Sequence, residues 1–300
     1  MKHGDVKRKF RVFGIIIVLA ILNVLPGCGE QATDLPGAVA TRAIINKGSD
    51  TMVNLALAWA EAYTAQHPDA RISVTGGGSG TGIAALINGT VDMANASRKM
   101  KSEEVERARA NGIKPMEHIV AGDAIAVVVN PTNPVNALTI DQLSDIFTGQ
   151  ITRWREVGGE DRPIVLLSRE SNSGTHIYFL ENVVRKGEQD NQNLFSPDTL
   201  LMPSSEGISV EVRQNPNAIG YDGLGYVTPD QKTINVAHKA GGPYTPPSIE
   251  TVKDGSYPIA RSLYMYTSGQ PTGVIREYLD WITSAAGQEI VEELGFVPLH

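Results

Sequence analysis

Two short segments rich in glycine and hydroxyl residues carry the side chains best suited to binding a small anion. The first spans residues 76–82 and reads GGGSGTG, and the second spans residues 169–175 and reads RESNSGT. Each follows a strand-like run and precedes a helix-like run. Glycine lets the backbone approach a ligand closely, and a helix N-terminus presents unpaired N–H groups with a partial positive charge. The two segments therefore predict one small oxyanion held from two sides.

The second segment adds a cation and two hydroxyl groups. The guanidinium of Arg169 offers a planar fork of donors that matches two oxygens of an oxyanion. Ser173 and Thr175 supply hydroxyl donors, and Gly174 leaves a backbone N–H accessible. The alternative role for Arg169 is a surface ion pair with Glu170. The combination of residue types favours the anion contact.

Two further positions are candidates for the same site. Residues 48–51 (GSDT) form a turn before a predicted helix, where Ser49 or Asp50 could serve only as an N-cap or could help to direct N–H groups at a ligand. Arg98 follows a short predicted strand at residues 91–95. Ligands of open α/β sheets lie at the carboxyl ends of strands, so Arg98 is a site candidate, with a structural ion pair as the equal alternative.

The pattern excludes several kinds of chemistry. The glycine-rich loop lacks the spacing of a dinucleotide-binding loop and the lysine of a P-loop. A hydrolase would need Ser173 as nucleophile and His176 as base, but neighbours at a helix start point in different directions, and no Gly-x-Ser-x-Gly sequence is present. The six histidines are scattered without paired metal spacing. We expect no metal, no cofactor and no covalent catalysis.

The N-terminus has the features of a targeting segment. A basic region at residues 2–11 precedes an apolar run at residues 12–25 and then Cys28, the single cysteine of the 300 residues. This order resembles a bacterial lipoprotein signal, which implies a signal peptide over residues 1–28 and a Cys28 that is lipidated with acyl chains such as palmitate. The alternative is a membrane-anchored N-terminus with an incidental cysteine. Residues 29–42 are small and polar and predict a flexible tether.

Length and charge narrow the class of protein. About 260 residues follow the tether. A single hydrophobic core usually organises fewer residues than this, so the length predicts two domains. Without residues 1–28, 21 Lys and Arg face 32 Asp and Glu, a formal net charge of −11. Such a charge argues against nucleic acid or an anionic membrane surface as a partner. An anionic ligand must then be held by local hydrogen bonds and one or two arginines.

The elements that position these residues alternate between strand and helix, which predicts an α/β fold. The long apolar run at residues 119–130 could cross from one domain to the other, and the alternation at residues 260–266 is typical of an edge strand. The other expected strands are residues 43–46, 72–75, 91–95, 164–167 and 219–221, and the expected helices are residues 52–66, 82–88, 102–112, 139–148, 175–186, 204–215 and 273–294.

Together these motifs resemble the phosphate-binding proteins (PstS type) of bacterial phosphate ABC importers. The matching positions are Gly48-Ser49-x-Thr51, the Gly-Ser-Gly-Thr loop at residues 78–81, Asn95-Ala96-Ser97-Arg98, Asn130-Pro131, Phe147-Thr148-Gly149 with Trp154, Arg169-x-x-x-Ser173-Gly174-Thr175, and Ile219-Gly220-Tyr221. The resemblance implies a type II periplasmic-binding-protein fold, with two α/β lobes joined by two crossover strands. Lobe I would comprise residues 43–121 and 244–300, and lobe II residues 122–243, with a ligand cleft between them.

The resemblance also implies phosphate contacts from Thr51, Met52, Ser79, Arg169, Ser173, Gly174 and Thr175. From their positions in the sequence we add Ser49, Arg98 and Asp123 as candidates for the same site. In the best-known branch of the family, an aspartate at the position of Arg98 accepts a hydrogen bond from the protonated phosphate oxygen. Such an acceptor stabilises bound phosphate through its proton and repels fully ionised sulfate. We expect Asp123 to replace it, paired with Arg98 at the cleft. The alternative for Asp123 is a hinge residue bonded to backbone.

The function implied is that of a lipid-anchored, monomeric receptor outside the cytoplasm, which binds inorganic phosphate and delivers it to an ABC permease without turnover. Other possibilities are a receptor for sulfate, molybdate or another oxyanion, a phosphate-ester hydrolase, and a sensor or adhesion module with the same cleft.

Overall fold

Strands and helices alternate along residues 43–300, the part of the chain that the computed structural model describes. The predicted signal peptide, Cys28 and the tether lie outside the described residues. The strands are β1 (Ile44–Gly48), β2 (Ile72–Thr75), β3 (Met93–Ala96), β4 (Met116–Val129), β5 (Ala137–Thr139), β6 (Val165–Arg169), β7 (Leu200–Met202), β8 (Ala218–Gly223), β9 (Lys232–Thr233), β10 (Asn235–Ala237) and β11 (Ala260–Thr267). The helices are α1 (Val53–Gln66), α2 (Ser79–Ile87), α3 (Ser102–Ala110), α4 (Ile140–Phe147), α5 (Gly174–Phe179), α6 (Ser205–Gln214), α7 (Ile249–Lys253), α8 (Gly273–Ile282) and α9 (Ala285–Glu293).

The main sheet has the strand order β2-β1-β3-β11-β4-β8-β6-β7, and β9 pairs with β4 outside this path. Its two ends are parallel: β1 pairs with β2 and β3, and β6 pairs with β7 and β8. Its middle is antiparallel. Strand β11 pairs with β3 on one side and with β4 on the other, and β4 pairs in turn with β8. The α/β prediction is confirmed, and β10 with β5 forms a separate short ladder.

Strand β4 spans 14 residues and links two sets of hydrophobic residues. It pairs with β11 up to Ala124 and with β8 from Ile125 onward. On this strand Ala121 packs with the cluster around Trp59, whereas Ala124 packs with the cluster around Phe179. The prediction of one long strand in this segment is confirmed. Its passage between two cores agrees with a crossover, and the division into lobes at the predicted boundaries stays a prediction.

The two cores are built differently. The first is centred on α1, α8 and α9, where Trp59 is fully buried and its indole N–H donates to Gly287 O at 2.8 Å. The second is rich in stacked rings, with the rings of Phe179 and Tyr221 only 3.7 Å apart between centroids. Aromatic rings bury large apolar areas in defined geometry, so each core fixes the helices that surround it.

Two expectations from the sequence are wrong in detail. Residues 260–266 do not form an edge strand, because β11 lies between β3 and β4 in the middle of the sheet. Tyr266, one of the polar residues that suggested a solvent face, is instead 3% exposed, and its hydroxyl donates to Glu117 at 2.7 Å. Helix α2 begins at Ser79 rather than at residue 82. The preceding Gly78 adopts a φ of 94°, and this left-handed backbone lets the helix start early.

We expect Trp59→Ala to lower the free energy of unfolding by about 3–5 kcal/mol, because it leaves a cavity and removes the bond to Gly287. Leu57→Ala is the control, since Leu57 lies on the same helix but is 48% exposed and should change stability by less than about 0.5 kcal/mol. Urea unfolding monitored by circular dichroism measures both. Equal effects of the two substitutions would contradict this assignment of the core.

Candidate functional site

The two segments singled out in the sequence meet in the structure at the start of three helices. The hydroxyl oxygens of Thr51, before α1, and Thr175, in the first turn of α5, lie 2.7 Å apart. Ser79 begins α2, and its Oγ lies 3.2 Å from Ser97 Oγ and accepts from Ser97 N at 3.0 Å. These four buried residues, Thr51, Ser79, Ser97 and Thr175, are here named the hydroxyl cluster.

Gly174 lies directly against two members of this cluster, Ser79 and Ser97. A Cβ at this position would lie within 3.0 Å of both Ser79 Oγ and Ser97 Oγ. The glycine-rich loop and the second segment also bond directly, since Gly80 N donates to Asn172 O at 3.0 Å. Any side chain at position 174 would therefore displace the hydroxyls of Ser79 and Ser97.

Ser173 and His176 do not form the pair that a hydrolase would need. The Ser173 Oγ caps α5 by accepting from the N–H groups of Thr175 and His176 at 3.2 and 3.4 Å. The imidazole Nδ1 of His176 lies 3.0 Å from Ser168 Oγ instead. Burial lowers the pKa of His176, which favours its neutral form. Ser173 thus acts locally as an N-cap.

Arg261 is a residue of the site that sequence reasoning missed. It lies on β11 directly opposite Asp123 on β4. Its Nε and Nη2 donate to Asp123 Oδ2 at 3.0 and 2.7 Å, its Nη1 donates to Ser97 O at 3.0 Å, and its Nη2 also donates to Thr175 Oγ1 at 3.0 Å. The single charged residue in this strand was the available signal. The assignment of the strand to an edge hid it.

Asp123 is fully buried, and its carboxylate is held by Arg261 and by Leu224 N, which donates to Oδ1 at 3.2 Å. Burial raises the pKa of Asp123, and the guanidinium of Arg261 opposes that rise. The expected pair between Arg98 and Asp123 is therefore wrong. Asp123 lies opposite an arginine 138 residues further along the chain, which local sequence could not identify.

Arg98 has a different partner. Its Nη1 and Nη2 each donate to one carboxylate oxygen of Glu104 at 2.8 Å, and Nη1 also donates to Lys99 O. Burial opposes the charged form of Glu104, but the bonds from Arg98 and from Lys101 N lower its pKa overall. Of the two roles considered for Arg98, the structure shows the ion pair.

Arg169 is almost completely buried and is bonded at all three guanidinium nitrogens. Nη2 lies 3.0 Å from Asp50 Oδ2, Nη1 donates to Ser205 Oγ at 2.7 Å, and the remaining bonds go to the carbonyls of Met202 and Pro203. The alternative pair with Glu170 is not formed. Asp50 also accepts from Ser205 N at 2.8 Å, so it links the first helix start to that of α6.

Two buried oxygens beside this group have no hydrogen-bond partner among the described residues: Ser49 Oγ and Asp222 Oδ2. Burial raises the pKa of Asp222 to about 7, although the positive charge of Arg169 works against that rise. Ser49 makes no capping bond through its side chain, which removes the N-cap as its role. Met52 packs its side chain into the first core, which leaves only its backbone for a ligand.

Within residues 43–300, no group of three or more His, Cys, Asp and Glu side chains could hold a metal ion. A search of the same residues finds no helix with the length and apolar character of a membrane span.

Comparison with known proteins places the chain in a family. Residues 36–286 match the PBP superfamily domain. The chain is 34% identical to the phosphate-binding protein PstS of Pseudomonas aeruginosa, over 84% of this chain and 81% of the relative, and 34% identical to PstS of Bacillus subtilis, over 97% and 95%.

A solved structure of a phosphate ABC transporter substrate-binding protein with bound phosphate, from Clostridium perfringens, superposes with a TM-score of 0.76 at 32% identity, over 86% of this chain and 100% of that chain. A phosphate transport receptor from Vibrio cholerae gives a TM-score of 0.68 at 28% identity, over 85% and 99%. The expected type II periplasmic-binding-protein fold is confirmed. The chain therefore belongs to the PBP superfamily and, within it, to the PstS family of phosphate-binding proteins.

Proposed function

We propose that this protein is a receptor outside the cytoplasm that binds inorganic phosphate and delivers it to an ABC permease. The observation that carries the proposal is the hydroxyl cluster, in which the hydroxyl oxygens of Thr51 and Thr175 lie 2.7 Å apart. The cluster lies where the two glycine-containing segments meet. Relatives named for phosphate binding share most of the chain. We further propose that the receptor is a monomer tethered by a lipid on Cys28 and that it performs no catalysis.

The phosphate oxygens would be bound in the cleft by hydroxyl and backbone N–H donors. The proposed contacts come from the first turn (Ser49, Thr51 and the backbone of Met52), from Ser79, and from Ser173, Gly174 and Thr175. Arg98 is left out, because Glu104 and a carbonyl occupy its Nη atoms. Arg169 would contribute a fixed positive charge beside the cleft, held in place by Asp50.

This arrangement suits an anion in an acidic protein. Oriented N–H and O–H donors stabilise negative charge at short range without a large net positive charge. Binding would bring the glycine-rich loop and the segment at residues 169–175 together around the ligand, and this closed form would dock on the permease.

Titration calorimetry of the full chain tests the proposal. We expect inorganic phosphate to bind with one-to-one stoichiometry and to outcompete sulfate, and we expect no release of product from a chromogenic phosphate ester. Thr51→Val should weaken phosphate binding about 10-fold or more, because it removes a hydroxyl donor to an anion. Thr64→Val, whose hydroxyl bonds only within α1, is the matched control. Tighter binding of sulfate, or ester turnover abolished by Ser173→Ala, would overturn the proposal.

Closure should depend on residue 174. Gly174→Ala places a methyl group against Ser79 Oγ and Ser97 Oγ, so we expect it to keep the two segments apart and to weaken phosphate binding at least about 10-fold. Gly269→Ala is the control, since a Cβ there meets nothing within 4 Å. Small-angle scattering with and without phosphate, beside calorimetry, measures both effects. Unchanged affinity and unchanged compaction in Gly174→Ala would refute this role.

Asp123 is proposed as the acceptor for the protonated phosphate oxygen, because its Oδ1 receives only one bond, from Leu224 N. We expect Asp123→Asn to lower the ratio of phosphate to sulfate affinity. An uncharged amide accepts a weaker hydrogen bond from protonated phosphate than a carboxylate does, and it does not repel sulfate. It should also lower the melting temperature, because Arg261 loses a buried anionic partner. Competition titration gives the ratio independently of the folded fraction. A wild-type ratio in Asp123→Asn would remove Asp123 from this role.

A further inference from the structure

The direction of one hydrogen in the hydroxyl cluster follows from its neighbours. Thr175 Oγ1 lies 3.0 Å from Arg261 Nη2 and 2.7 Å from Thr51 Oγ1. A guanidinium has donors and no acceptor, so the Thr175 oxygen must accept from Arg261. The hydrogen of Thr175 therefore cannot point at Arg261 and is left for Thr51 or for a ligand between the two segments.

The donor that imposes this direction is itself rigid. Asp123 Oδ2 receives two bonds from the Arg261 guanidinium, and Ser97 O receives a third. The Arg261 side chain is 2% exposed and that of Asp123 is fully buried. A side chain bonded on three sides in a packed interior keeps one rotamer, so its orientation is fixed before any ligand arrives.

We propose that Arg261 is a positioning residue for phosphate binding, which acts by donating to the Thr175 hydroxyl and turning its hydrogen toward the ligand. The inference rests on the proposed function. It extends that function to a residue outside the segments recognised from the sequence.

Charge gives this arrangement a second effect. A hydroxyl that accepts from a cation is polarised and becomes a stronger donor to an anion. Asp123 balances the charge of Arg261, so the positive end of the pair acts on the ligand through one hydroxyl rather than as a free cation. Because Ser97 follows β3 and Thr175 lies in the first turn of α5, the chain of bonds is complete only when these two parts of the fold are in contact.

A double-mutant cycle tests whether Arg261 acts through Thr175. We expect Arg261→Gln and Thr175→Val each to weaken phosphate binding to the full chain about 10-fold or more. The double variant should be weaker than the poorer single variant by no more than about 2-fold, because both substitutions remove one interaction. Thr175→Ser, which keeps the hydroxyl, should bind within about 3-fold of wild type. Calorimetry with inorganic phosphate provides every value.

The control is Arg98→Gln, which breaks a similarly buried arginine–carboxylate pair outside the hydroxyl cluster. It should lower the melting temperature without weakening phosphate binding. The inference is overturned if Arg261→Gln binds like wild type, if Arg98→Gln weakens binding equally, or if the losses in the double variant multiply. If Arg261→Gln does not fold, Arg261→Met, which also removes the donors to Thr175, takes its place in the cycle with the same criteria. A wild-type chain that binds no phosphate overturns the proposed function as well.

Discussion

The buried ion pair between Asp123 and Arg261 joins the two central strands of the sheet at the place where β4 passes between the two cores. Its guanidinium also bonds to Ser97 O and Thr175 Oγ1, so the same side chain touches two members of the hydroxyl cluster. A buried pair costs desolvation free energy that its own attraction only partly returns. Its value here lies in geometry, because a fixed guanidinium sets the relative position of four chain segments.

The same principle recurs across the site. Arg98, Arg169 and Arg261 are all buried, and each has a carboxylate partner, namely Glu104, Asp50 and Asp123. Pairing removes most of the net charge that these arginines would otherwise bring to the cleft. In the proposed site, an anion is then attracted mainly by oriented N–H and O–H dipoles, whose strength depends on alignment and on the absence of water. The proposed site would in this way bind a negatively charged ligand despite the large excess of acidic residues in the chain.

Glycine and hydroxyl residues make that alignment possible. The close approach at Gly174 lets Ser79 and Ser97 face the start of α5. The capping bonds of Ser173 hold the first turn of that helix. Residues at or beside helix starts therefore provide the proposed donors, and the two cores provide the rigidity that keeps them in place.

The sequence by itself determined the α/β class, the long strand and the two segments rich in glycine and hydroxyl residues, because each depends on periodicity or on residue types adjacent in the chain. Residues 76–82 and 169–175 were identified in this way, and Thr51 and Thr175 do meet across 124 positions. Only the tertiary structure decided the ion-pair partners. Asp123 pairs with Arg261 rather than with Arg98, and Arg169 pairs with Asp50 rather than with Glu170. The partner of a buried charge is the side chain that the fold brings within hydrogen-bond distance, and neighbouring residues in the sequence do not reveal which one that is.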